Sequence, residues 1–199
     1  IFRFYEKTRF SAYQHLATRN IEIQHLAETD KLTGLYNRQK FDSELSQLIA
    51  ENEKSETSYF LLVCDIDHFK NVNDTYGHLV GDRVLSEFAN ILKDKLPPNT
   101  LIARWGGEEF TIILAEESLT DATTQANQLK RYIKENPVAN IPITISIGVT
   151  HIKFGSTVLN TLDQADKALY TAKKNGRNLV YVSDNNTISA YQDSIKQPN

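Results

Sequence analysis

Apolar positions recur along this chain with two different periods, and the changes of period mark out its elements. Residues 1 to about 30 contain neither Gly nor Pro, and Tyr13, Leu16, Asn20, Ile23 and Ala27 alternate at three- and four-residue spacing, the pattern of a short helical seam. Such a seam suits a helix that pairs with another, Asn20 setting the register, or a solvated helix resting on its own domain. After a turn at residues 33–37, Phe41, Leu45, Leu48 and Ile49 predict an amphipathic helix with Asn37 as N-cap. Residues 59–65 form an apolar run that ends abruptly in an acid, as expected of a strand covered on both faces. Val84, Leu85, Phe88, Ile91, Leu92 and Leu96 then follow a helical period. That helix is expected to begin near Gly81 and Asp82 and to stop before Pro97 and Pro98, which cannot continue it.

Residues 101–105 and 108–114 predict two strands joined by a tight hairpin whose tip is Gly106 and Gly107. Ser118 caps a helix carrying Ala122, Ala126, Leu129 and Ile133, with Pro137 beyond its end, and residues 143–149 predict another strand. Leu162, Ala165, Leu169 and Ala172 form one stripe of a helix closed by Gly176, and residues 179–182 predict a last strand. From about residue 183 the chain is polar and aperiodic, and a disordered tail is expected. The order α, α, β, α, β, β, α, β, α, β predicts an α+β fold, a mostly antiparallel central sheet flanked by helices and related to the ferredoxin-like βαββαβ plan.

Composition narrows the function. With 199 residues and 40% hydrophobic content the chain can build one compact domain. A formal net charge of -3 and a pI near 6.0 argue against a nucleic-acid coat, which needs a broad excess of Lys and Arg, so any phosphate site must be local. The one cysteine, Cys64, lies within an apolar run and suits a buried hydrophobe; it can form neither a disulfide within one chain nor a cysteine zinc site. No stretch approaches the roughly 18 to 20 apolar residues of a membrane span, and no signal peptide is visible. A cytoplasmic domain is expected. The sequence opens on Ile1 and contains no methionine, so it is expected to be a fragment whose missing upstream part could hold a sensor or a segment anchoring it in a membrane.

Two constellations carry candidate chemistry. Asp65, Ile66 and Asp67 stand at the end of the apolar strand, ahead of Phe69, Lys70, Asn73 and Asp74. Carboxylates on a rigid strand end suit a hard cation such as Mg²⁺, though the same residues could simply end the strand in a polar loop. The second is Arg104-Trp105-Gly106-Gly107-Glu108-Glu109-Phe110. Glu108 and Glu109, as successive strand residues, point to opposite faces and divide their tasks, one facing the metal and the other the back of the sheet. Glycines at the tip let a nucleotide approach the backbone closely. An ordinary hairpin with solubilising acids is the alternative, weakened by the flanking Arg104, Trp105 and Phe110.

Residues 106–110 resemble the signature of the GGDEF family of diguanylate cyclases in its Gly-Gly-Glu-Glu-Phe form. The resemblance extends to Asp30-Lys31-Leu32-Thr33-Gly34-Leu35-Tyr36-Asn37-Arg38, to residues 65–74 with Gly77, His78, Gly81 and Asp82, to residues 145–149, and to residues 165–170 with Lys173, Gly176, Arg177 and Asn178. It implies a palm-type fold like that of nucleotidyl cyclases. It also implies an N-terminal helical linker over residues 1–29 that could dimerise, a catalytic domain over 30–183 and a tail over 184–199.

The implied activity is condensation of two GTP into cyclic di-GMP and two pyrophosphates across a homodimer, with two Mg²⁺ or Mn²⁺ ions per site and no nucleic acid as partner. Asp65, the carbonyl of Ile66 and Glu108 would hold the ions. Glu109 would be a further ligand or the acceptor of the ribose 3′-hydroxyl proton. Phe69 and Lys70 would lie against the phosphates, and Gly106 and Gly107 against the nucleotide. Asn73 and Asp82 would read guanine with His78 between them, while Lys173 and Arg177, one helical turn apart, would reach the terminal phosphates or merely stabilise a helix C-terminus. A relative that only binds nucleotide is the rival reading, and it is disfavoured because Asp65, Gly106, Gly107 and Glu108 are all present. The chain departs from the family pattern at one place. Where many relatives carry an inhibitory Arg-x-x-Asp, it has Pro97-Pro98-Asn99-Thr100.

Overall fold

The computed structural model describes residue 19 and residues 27–51, 57–184 and 187–191. Of the N-terminal seam only Ala27 is among them; Tyr13, Leu16, Asn20 and Ile23 lie outside the described residues. The elements are β1 (Tyr36–Asn37), α1 (Arg38–Glu51), β2 (Ser58–Ile66), α2 (Phe69–Tyr76), α3 (His78–Lys95), β3 (Leu101–Gly106), β4 (Glu109–Glu116), α4 (Leu119–Glu135), β5 (Ile145–His151), α5 (Val158–Lys174), β6 (Val180–Asp184) and β7 (Thr187–Ala190). They build a sheet in the order β1-β3-β4-β2-β5-β6-β7. Strand β2 is its centre, antiparallel to both β4 and β5, and the hairpin β3–β4 and the β6–β7 pair are antiparallel too. Only the β1–β3 and β5–β6 pairs run parallel. The central strands follow the βαββαβ plan read from the sequence.

Alternation along β2 explains why the whole strand is apolar. Phe60, Leu62, Cys64 and Ile66 enter one core with α3 residues Val84, Leu85 and Phe88 and α4 residues Ala122, Ala126 and Leu129. Leu61 and Val63 enter a second core with Phe41 and Leu45 of α1 and Ala165 and Leu169 of α5. Both faces are therefore covered. At Gly148 the cover lies against the strand backbone. A Cβ there would lie 2.1 Å from the Ala165 carbonyl oxygen, so α5 rests on β5 with no side chain between them.

Caps and stops act where the pattern places them. Asn37 Oδ1 accepts the Lys40 amide at 3.0 Å, Ser118 Oγ accepts the Asp121 amide at 3.2 Å, and α3 ends at Lys95, two residues before Pro97. Two expectations need correction. Helix α3 begins at His78 rather than near Gly81, and the extra helix α2 precedes it. That helix has only Phe69 and Val72 buried, so its polar remainder conceals it from a periodicity argument. The tail also forms structure: β6 extends to Asp184 and β7 pairs with it, while Tyr191 packs against the core and its amide bonds the Val180 carbonyl at 3.2 Å. All four β7 residues are exposed, so backbone pairing rather than burial makes this strand, and no apolar alternation announces it.

Candidate active site

Period two along β2 puts Asp65 on the same face as Leu61 and Val63, the face covered by α5. There Asp65 stands opposite Glu109 of β4 on one side and Ser146 of β5 on the other. It is 6% exposed, and Lys173 of α5 places Nζ 2.7 Å from its Oδ2. Burial pushes the Asp65 carboxyl up to about 6, the contact with Lys173 opposes that, and the negative charges of Glu108 and Glu109 add to it. Three carboxylates thus share one field at the end of the sheet.

The hairpin differs from its expectation by one residue. Gly106 pairs with Glu109 across a register shift at Trp105, which makes Gly107 and Glu108 the turn. Gly107 has φ +55°, a conformation that favours glycine. Glu108 therefore sits in the turn and not on the strand, so strand alternation does not divide the tasks of the two acids. The turn is held from two sides. The Glu108 carbonyl accepts the Ile66 amide at 3.3 Å, and Arg104 Nε and Nη2 donate to the Gly107 carbonyl at 2.9 and 2.8 Å. Arg104 is in turn anchored by Asp30, whose carboxylate oxygens are both 3.3 Å from Nη1. Asp30 also accepts the Thr33 amide and hydroxyl at 2.9 and 2.7 Å. Burial would raise its pKa, but the bonds from Thr33 and the Arg104 charge bring it below the ordinary value. The opening motif of the domain thereby positions the hairpin tip.

Asp67 has a different occupation from Asp65. It is buried and accepts from Ser146 Oγ at 2.7 Å, Thr144 Oγ1 at 2.7 Å and the Asn178 amide at 3.0 Å. These bonds tie the end of β2 to β5 and to the turn after α5, a structural role, whereas Asp65 is held only by its ion pair with Lys173. His68, in the left-handed region at φ 57°, then starts α2. The Phe69 side chain is 6% exposed within the core, so its ring does not face a phosphate; only its backbone at the helix N-terminus can. Lys70 is exposed beside it.

Helices α2 and α3 meet at Asn73 and Gly81, where a Cβ on Gly81 would lie 1.9 Å from Asn73 Oδ1. Asp82 and His78 are exposed on α3. Asp82 borders a cleft of about 450 Å³ with Leu32, Ser86, Asn90 and Asn140. Gly106 and Gly107 are exposed at the tip.

Lys173 and Arg177 are not one turn apart on a helix. Helix α5 ends at Lys174, and Arg177 follows in a left-handed turn, φ 63°, its amide bonded to the Ala172 carbonyl at 3.0 Å. Lys173 turns to Asp65, and Arg177 is exposed. Asp166 has no role among the candidate residues of the sequence, yet it stands near this site. Burial raises its pKa, as do the charges of Glu109 and Asp163, while Lys173 lowers it, which places Asp166 in the field of the same acids. Its seven-residue spacing from Lys173, two turns along one face, is the signal that points to it.

Among the described residues no group of three or more His, Cys, Asp and Glu side chains is disposed to hold a metal alone. The donors available are the carboxylates of Asp65, Glu108 and Glu109 with backbone carbonyls at the strand end. All are hard oxygens whose mutual repulsion a divalent cation would relieve, which fits Mg²⁺ or Mn²⁺. No helix of the described residues is long and apolar enough to cross a membrane.

Known proteins share this fold. The family described as "Diguanylate cyclase, GGDEF domain" matches residues 27–179. Diguanylate cyclase A of Treponema denticola is 38% identical over 180 residues, 86% of this chain and 48% of its own length. The response regulator PleD of Caulobacter vibrioides is 40% identical over 162 residues, 78% of this chain and 36% of its own. The chain thus spans about half or less of the curated relatives it matches. Among solved structures, the coiled coil and GGDEF domain of DgcB from Caulobacter crescentus in complex with c-di-GMP superposes with a TM-score of 0.81 at 32% identity, covering 87% of this chain and 95% of that one. The diguanylate cyclase SiaD of Pseudomonas aeruginosa, solved with its activator SiaC, gives 0.75 at 34% identity, covering 90% and 72%. The chain belongs to the GGDEF family of diguanylate cyclase domains.

Proposed function

We propose that this domain condenses two molecules of GTP into cyclic di-GMP, releasing two pyrophosphates. The observation that carries the reading is the placement of Asp65 directly opposite Glu109 in the β2–β4 ladder, beside a glycine turn held by Arg104. Strand-borne acids next to an open backbone suit a nucleoside triphosphate and its cations. Divalent ions, two of Mg²⁺ or Mn²⁺ in the family, supply charge neutralisation at the attacking and leaving oxygens when bound. Asp65, Glu108 and the Ile66 carbonyl would hold them.

The chain's own groups do the rest. Glu109 accepts the proton as the ribose 3′-oxygen attacks the α-phosphorus of the facing GTP, and the bond from that phosphorus to the pyrophosphate oxygen breaks. Lys70 and Arg177 offset charge on the departing pyrophosphate. Asp82 accepts from the N1 and N2 hydrogens of guanine, which adenine lacks, and Asn73 adds a second polar contact. One domain holds one GTP, so closing the ring takes two such attacks between two domains facing each other, and a homodimer is part of the reaction. The supply of GTP places the work in the cytoplasm.

Incubating the protein at micromolar concentration with GTP and Mg²⁺, and identifying products by mass, tests the proposal. Cyclic di-GMP with two pyrophosphates per ring is expected, and none from ATP. GTP returned unchanged would overturn it.

A further inference from the structure

Two rigid supports bring Lys173 and Asp65 together. Asp65 is fixed in the central strand between β4 and β5. Helix α5 rests directly on β5 at the contact of Gly148 with Ala165 and Leu169. From that helix Lys173 delivers its ammonium to 2.7 Å from Asp65 Oδ2, with the lysine side chain 30% exposed and the carboxylate side chain 9%. The lysine thus occupies the carboxylate that the preceding reading gives to a divalent cation, although the same reading of the sequence sends Lys173 to the phosphates. Both placements follow if they occur in succession. A lysine is a point charge on a flexible four-carbon stem and can change partners without moving its helix.

We propose that Lys173 is the resident counter-ion of Asp65 and that GTP with its divalent cation enters by ion exchange: the cation displaces the ammonium from Asp65, and the freed ammonium turns to the polyphosphate. The inference rests on the metal-site reading above. It makes the domain select the nucleotide and cation together. A cation alone must break an ion pair and leave an ammonium without a partner, whereas GTP supplies that partner. Coupling of this kind is reciprocal, so GTP tightens the cation and the cation tightens GTP.

The test titrates Mn²⁺ into the nucleotide-free domain and reads free Mn²⁺ by electron paramagnetic resonance. Lys173→Met should tighten Mn²⁺ binding at least about five-fold, the lower end of ordinary coupling between two sites. Lys174→Met, which removes the same charge from the exposed neighbour on α5, should leave it unchanged. With a non-hydrolysable GTP analogue present, the wild type should gain more Mn²⁺ affinity than Lys173→Met does. Lys173→Arg keeps the charge and can hold the carboxylate through two bonds, so its nucleotide-free Mn²⁺ affinity should fall below that of the wild type. Unchanged or weaker Mn²⁺ binding by folded Lys173→Met, equal tightening in Lys174→Met, or an Arg variant that binds Mn²⁺ as tightly as the wild type would each overturn the proposal. Asp65→Asn separates the two readings. If it abolishes Mn²⁺ binding while Lys173→Met changes nothing, only the ion exchange fails; if it leaves Mn²⁺ binding intact, the metal assignment fails with it.

Discussion

Gly81 faces Asn73 so closely that a methyl group on it would lie 1.9 Å from Asn73 Oδ1. A side chain added at this junction of α2 and α3 therefore displaces the Asn73 carboxamide, and the polar groups assigned to guanine stand on both sides of it. Gly81→Ala should push the Asn73 carboxamide out of its place and press on the Phe69 ring, 3.3 Å from the added carbon. GTP affinity measured by calorimetry should fall by about ten-fold or more, equivalent to roughly 1.4 kcal/mol, while circular dichroism stays native. Unaltered GTP affinity would remove Asn73 from the nucleotide site.

Asp65 should trade stability for function. In the unfolded chain it titrates at its ordinary value of 3.8, whereas burial pushes it to about 6 in the native domain. Between those values the native state holds a proton that the unfolded state lacks, so its contribution to stability declines as pH rises through the window and the full cost persists above it. Asp65→Asn removes that cost. In chelator at pH 7.5 its Tm should exceed that of the wild type by about 2 to 4 °C for each kcal/mol of that cost, a difference that shrinks toward pH 4. Its cyclic di-GMP synthesis should drop at least about a hundred-fold for loss of a charged metal ligand. A variant less stable than wild type at pH 7.5 would contradict the burial argument.

The neighbouring Asp67 should behave in the opposite way. Its carboxylate satisfies two hydroxyls and a backbone amide, and Asp67→Ala leaves all three without their acceptor. A loss of about 2 to 4 kcal/mol in urea unfolding is expected, and the metal-binding readout should be retained wherever the variant is folded. Wild-type stability would mean that these groups find other partners.

Product inhibition should be weak. At the position of the family's Arg-x-x-Asp, the Thr100 hydroxyl and amide both bond the Pro97 carbonyl, at 2.8 and 3.2 Å, and neither Pro97 nor Thr100 carries a charge. The nearest lysines are engaged elsewhere. Lys93 reaches the Gly34 carbonyl at 3.4 Å, and Lys95 pairs with Asp94 at 2.9 Å over the Tyr132 ring. A planar cationic fork and a carboxylate, the groups that hold product phosphates and guanine edges, are both missing. Progress curves should show inhibition by cyclic di-GMP that excess GTP relieves. Inhibition that GTP cannot relieve would mean that other residues rebuild the site.

Specific activity should rise with protein concentration. A helix on the seam that Tyr13, Leu16 and Ile23 suggest in the sequence would have few turns, and short helices are marginal in water. A parallel zipper fused in heptad register with those positions should raise activity at low concentration. Activity per molecule that stays constant down to nanomolar protein would count against assembly during turnover.

The local code of this chain is strong where a residue's task is discharged nearby. Asn37, Ser118 and Pro97 set helix ends through their own backbone neighbourhoods, and the apolar run of β2 demands cover on both faces whatever supplies it. The acids at the strand end and the glycines of the hairpin were legible for the same reason, since residue type and short spacing suffice to suggest a phosphate site. Tertiary structure decided the rest. Nothing local distinguishes Asp65 from Asp67, yet one meets Lys173 and the other meets Thr144, Ser146 and Asn178. The register shift at Trp105 moves the turn by one residue and takes Glu108 off the strand. A strand alternates its faces by itself, but what stands on each face depends on segments dozens of residues away, and only their packing selects the partner.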